Sequence, residues 1–142
     1  MVKKIILFIF ILFPLNAWGL IKVDITRGNL DPLPLAVSPL AIDNSSRTKF
    51  QKILNKKDIG SEISKIVEKN LKTSGLFNPL DKEAFLQKPD IANLKPRFED
   101  WKLIKAQALI TGKVNFIDEK LRVEFRLWDI LAGREMMALA FT

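Results

Sequence analysis

Residues 108–141 read ALITGKVNFIDEKLRVEFRLWDILAGREMMALAF, and this stretch decides the fold. Ala108 to Ile117, Leu121 to Ile130 and Glu135 to Phe141 are extended runs rich in aliphatic and aromatic residues. The breaks between them, Asp118-Glu119-Lys120 and Leu131-Ala132-Gly133, are short and carry turn residues, so three consecutive strands are predicted. In the middle run Leu121, Val123, Phe125 and Leu127 alternate with Arg122, Glu124, Arg126 and Trp128. That pattern gives a sheet with one covered and one wetter face, and it puts Trp128 on the wetter side, available to an interface.

Towards the N-terminus the pattern changes to helical. Arg97 to Lys105 reads as a short amphipathic helix presenting Phe98, Trp101, Leu103 and Ile104. Lys88 to Pro96 is a loop, Asp81 caps a helical turn running through Gln87, and Leu76 to Leu80 is a short extended piece. The strongest helix follows Asp58 as N-cap, with Ile59, Ile63, Ile66, Val67 and Leu71 at spacings of three and four. Glu62, Lys65, Glu68, Lys69 and Lys72 cover its other face, Glu68 and Lys72 forming an i,i+4 pair. Gly75 is placed to stop it in the left-handed conformation. Asp43 to Lys57 is polar, with Asn44-Ser45-Ser46 as its loop, and carries no assigned role. Leu33 to Ile42 is a second extended run containing Pro34 and Pro39, so it is expected to be either interrupted or at a sheet edge along part of its length. The order β-β-α-(short β)-α-β-β-β predicts an α+β domain: a mixed sheet with two or three helices packed on one face.

The first nineteen residues are read separately. Lys3 and Lys4 precede an apolar run from Ile5 to Phe13, Pro14 ends it, and Ala17-Trp18-Gly19 puts small residues before Leu20. This is the pattern of a cleavable export signal, cut between Gly19 and Leu20. The run is too short for the roughly 20 residues that cross a bilayer, so no stable membrane insertion is expected after its removal. Residues 20–142 then form one domain.

Composition excludes much chemistry. The chain has no Cys, no His and no Tyr, which removes thiol nucleophiles, thiolate metal sites and the commonest general base. Glu99-Asp100 opens a helix and Asp118-Glu119 sits in a turn, where acids are expected for local reasons. The glycines form no phosphate-binding pattern. A non-enzyme without metal or cofactor is the reading. The net charge of +7 is spread along the chain and no Arg-rich block interleaved with aromatics appears, so nucleic acid is not the expected partner.

Leu20 to Thr26 alternates Ile21, Val23 and Ile25 with Lys22, Asp24 and Thr26, and Arg27-Gly28 begins a turn. Two readings stand side by side: an ordinary edge strand of this domain, or a strand that adds to a partner's sheet.

Several strings occur together in order: VDITRG at 23–28, PLAV at 34–37, DIG at 58–60, SGLFNP at 74–79, PRFEDW at 96–101, ALITG at 108–112 and FRLWD at 125–129. In these the chain resembles the N-terminal domain family of TolB, across the whole of residues 20–142. The resemblance implies a non-enzymatic periplasmic component of the Tol-Pal system, whose α/β domain precedes a β-propeller. It implies binding of TolA by the N-terminal segment, here Leu20, Ile21, Lys22, Val23, Asp24, Ile25, Thr26, Arg27 and Gly28. It also implies binding of the lipoprotein Pal through the propeller, and roles in outer-membrane integrity, constriction at division and bacteriocin import. No propeller follows Thr142, so a fragment is expected. Two alternatives are a nucleic-acid-binding α/β domain, expected to remain in the cytoplasm and to bind with strong salt dependence, and a periplasmic hydrolase fragment.

Overall fold

A computed structural model describes residues 31–53, 58–90 and 94–142. Its elements are β1 (Leu33–Val37), β2 (Ala41–Ile42), α1 (Asn44–Ile53), α2 (Ile59–Thr73), β3 (Phe77–Pro79), a 3-10 turn (Lys82–Ala84), α3 (Phe98–Leu103), β4 (Ala108–Ile117), β5 (Lys120–Asp129) and β6 (Arg134–Phe141). They form one mixed sheet in the order β3-β1-β4-β5-β6, with β2 also paired to β4. β3, β1 and β2 run parallel to their partners, whereas β4, β5 and β6 are antiparallel. The interruption expected at Pro39 separates β1 from β2.

The hairpin turn is tighter than the sequence suggests. Lys120 already pairs with Ile117, leaving Asp118 and Glu119 as a two-residue connection with φ of 47° and 63°. Positive φ at both positions gives the local twist that a right-twisted hairpin needs.

Register sorts the side chains onto two faces. Leu35, Val37, Ala108, Ile110, Val114, Val123, Phe125 and Leu127 share the face covered by α1 and α2. Two helices on one face is the expected arrangement. The third, α3, lies across one end of the opposite face, where Ala36, Leu109 and Trp128 meet Trp101 and Ala106. Trp128 is therefore 5% exposed instead of interfacial. The alternation that placed it beside Arg126 holds, but α3 covers that end of the face. Its ring meets Phe98 edge-on at 6.0 Å, and its Nε1–H donates to Thr111 Oγ1 at 2.8 Å.

α2 begins as the sequence predicts. The Asp58 carboxylate accepts from the Gly60 amide at 3.1 Å and from Ser61 Oγ at 2.9 Å, and Gly75 follows the helix with φ of 73°. Its buried contact line is rotated, however, through Gly60 and Ser64, while Ile66 stays exposed. The cause is the close approach of this helix to the Leu40 backbone, which admits only small side chains. Glu68 pairs with Lys82 at 2.9 Å, an ion pair across elements in place of the expected one along the helix. The turn after Asp81 is a single 3-10 turn ending at Ala84 and does not reach Gln87.

The loop expected at Asn44-Ser45-Ser46 is the first turn of α1. Asp43 is its cap: its carboxylate accepts from Ser45 Oγ at 2.6 Å and from the Ser46 amide at 2.8 Å. Ser46 Oγ in turn accepts the Phe116 amide at 3.0 Å, and Phe50 packs on Phe116 with ring centres 4.6 Å apart. A polar segment thus docks through one hydroxyl and one aromatic ring. The bonds from Ser45 and Ser46 hold the Asp43 carboxyl down at about 2, from 3.8. Because the folded value is depressed, this contribution is complete above pH 3.8 and is lost as the pH falls through about 2. Helical CD is therefore expected to decline across that window in the native chain. The Asp43→Ala chain should be less stable by about 1 kcal/mol at neutral pH and should lack this part of the acid response.

Candidate functional site

The predicted partner-binding residues Leu20 to Gly28, and the cleavage position Gly19, lie outside the described residues. Their point of attachment is described. The chain reaches β1 through exposed Asp31 and Pro32, and β1 is an interior strand. The Leu33 amide donates to the Leu76 carbonyl at 2.9 Å on one side. On the other side the Pro34 carbonyl accepts from the Gln107 amide at 2.9 Å. The segment upstream of Asp31 therefore leads into a strand whose two edges are already bonded.

The face opposite α1 and α2 is polar where α3 does not reach. Glu124 accepts from Arg122 Nε at 2.9 Å and pairs with Lys113 at 3.4 Å. The Arg122 hydrogen bond, reinforced by Lys113, holds the Glu124 carboxyl below the usual range against the opposing effect of burial. Arg126 pairs with Glu135 at 2.6 Å on the next strand. Each of these charges has an opposite partner along or across the strands, as expected of a solvated strand face.

β6 is the more unusual surface. All eight of its residues are exposed, including Met136, Met137, Leu139 and Phe141. Beside it, between α2 and the strands, runs an apolar groove of about 310 Å³ lined by Val67, Leu71, Phe125, Leu127, Met137 and Leu139. The bare apolar strand is visible in the sequence, but the groove depends on how far α2 sits from β6.

The acidic pairs have local roles. Glu99 pairs with Lys102 at 2.8 Å and Asp100 with Arg97 at 2.6 Å within α3, and Asp118-Glu119 forms the hairpin turn. Among the described residues no group of three or more acids could hold a metal ion, and no helix is long and apolar enough to cross a membrane.

Comparison with known proteins supplies the context. Residues 21–136 match the family described as the TolB amino-terminal domain. A Tol-Pal system protein TolB from Pelagibacter ubique is 71% identical over all 142 residues, which span 32% of that relative. TolB from Acinetobacter baumannii has a similar structure, with a TM-score of 0.55 at 18% identity over 80% of this chain and 23% of that one. The C-terminal domain of LpoB from Salmonella enterica matches equally well in shape, with a TM-score of 0.55 at 10% identity over 81% of this chain and 84% of the other. At such identities the last two show a shared fold.

Proposed function

The chain belongs to the TolB amino-terminal domain family, and from that premise we propose that it is a non-catalytic periplasmic adaptor of the Tol-Pal system. In this reading Leu20 to Gly28 add as a strand to TolA. Main-chain bonds would supply affinity, and Ile21, Val23 and Ile25 would supply specificity on one side. The observation that carries the reading is the attachment point: β1 is bonded along both edges, so the upstream segment can engage a partner without opening the sheet. Export and cleavage between Gly19 and Leu20 would create the free end at which that strand begins. The proposed role extends to outer-membrane integrity, constriction at division and bacteriocin import. Pal binding is assigned to the propeller of the longer proteins, because these 142 residues span 32% of the relative. Nucleic acid, metal and cofactor have no place in it.

Side-chain alternation tests the mode of binding. Val23→Asp is expected to weaken TolA binding about a hundredfold, the cost of setting a charge in an apolar strand pocket. Lys22→Ala, on the opposite side, should change it by less than about threefold. Equal losses from the two substitutions would contradict strand addition.

A further inference from the structure

We propose that α1 opens from the sheet as a unit while the rest of the domain stays folded, with its contact on Phe116 as the catch. The reason lies where β2 ends. β2 pairs with β4 at Ala41 and Ile42, opposite Lys113 and Val114. Beyond that point β4 continues through Asn115, Phe116 and Ile117, paired with β5 on its other side. The edge turned away from β5 carries no strand there among the described residues, and the chain places α1 beside it instead. The Phe116 amide, which the antiparallel ladder turns away from β5, donates to Ser46 Oγ at 3.0 Å. A helix thus covers a stretch of edge that would otherwise present an unpaired donor next to an aromatic ring.

α1 is lightly held for its length. Of its ten residues Ser46 and Phe50 are the buried ones, and Ile53 is 60% exposed. Its attachments converge on Phe116. Ser46 Oγ takes the amide, Phe50 meets the ring at 4.6 Å with a tilt of 32°, and Lys49 Nζ lies 4.4 Å from the ring centre. Phe50 also reaches Leu40, Ile42 and Val114. The 3.8 Å ion pair from Lys49 to exposed Glu119 adds little. α2, by contrast, is fixed along its length: Gly60 against Leu40, Ile63 and Val67 against the sheet, and Ser64 and Glu68 to Lys82. A helix as short as α1 has no stability of its own in water, so it unfolds once it leaves Phe116. Opening breaks this one set of contacts and leaves the clusters around Trp128 and Leu35 intact. It uncovers the Phe116 ring and the edge of β4, where an extended chain can add.

Amide hydrogen exchange in the full chain tests this position by position. The amides of Arg47 to Lys52 are expected to exchange together, less protected than those of β4 by at least about a hundredfold. Ser46→Ala should speed them about fivefold further, the effect of one lost hydrogen bond. Trp128→Phe discriminates, because the Trp128 cluster is intact in both the closed and the open state. It should speed exchange in β4 and β5 by about tenfold and leave Arg47 to Lys52 unchanged. The proposal is overturned if Trp128→Phe speeds the α1 amides as much as those of β4, since α1 then opens only with the whole domain. An α1 rate unaltered by Ser46→Ala would equally overturn it, because the catch would not be at Phe116.

Discussion

Truncating Trp128 to alanine is expected to cost about 3–5 kcal/mol, enough to leave a domain of this size largely unfolded at room temperature. Trp128 is 5% exposed, and its neighbours Leu109, Ile130, Ala106 and Trp101 are as deeply buried. The cavity would open at the junction of β4, β5 and α3, where the rings of Phe98 and Trp128 lie edge to face and Trp101 meets Phe85 at 5.0 Å. Strands and a helix cannot collapse together into such a space without losing the register of the longest hairpin. Trp128→Phe separates packing from hydrogen bonding. It keeps most of the volume but removes the donor to Thr111 Oγ1, which itself donates to the Leu94 carbonyl at 3.1 Å. A cost of about 1–2 kcal/mol is expected there. Urea titration followed by tryptophan-independent CD reads both; a loss under about 1 kcal/mol for the alanine variant would show that this cluster does not hold the sheet together.

Gly60→Ala is the second large effect, and its sign is the informative part. In an ordinary helix this change stabilises by about 1 kcal/mol. Here the added methyl would stand 2.2 Å from the Leu40 carbonyl oxygen, a backbone atom that cannot swing aside. The Leu40 amide also donates to the Gly60 carbonyl at 3.2 Å, so the helix start and the link between β1 and β2 are held face to face. Moving α2 away to admit the methyl would loosen Ser64, which is fully buried, and its bond from Lys82 at 3.1 Å. A destabilisation of about 3 kcal/mol is expected, read as a lower melting temperature. A stability equal to or above that of the native chain would mean that this close approach is not maintained in solution.

How much was legible before the structure follows from which forces act locally. The Asp58 cap, the Gly75 stop and the strands from Ala108 to Phe141 are written in short-range patterns, and all are present. α1 was hidden because composition argued louder than capping: Asp43-Asn44-Ser45-Ser46 looks like a loop, yet an acid followed by two serines is equally a helix start. Ile66 is exposed and Gly60 buried on α2 because hydrophobicity does not report where backbones approach. The alternation places Trp128 on the correct strand face but not at the covered end of it, which only the position of α3 decides. The candidate binding segment reads clearly as an alternating strand from Ile21 to Ile25. What it pairs with is a property of two molecules, and no periodicity in one chain encodes it.

The account centres on that segment, and one titration tests it most directly. The full chain and a chain lacking Ile21 to Thr26 would each be titrated with the periplasmic end of TolA by calorimetry, with far-UV CD recorded for both. The account predicts heat of binding for the first, none for the second, and nearly superimposable spectra, because β1 keeps its bonds to Leu76 and Gln107 without the segment. Undiminished binding by the deleted chain would contradict it.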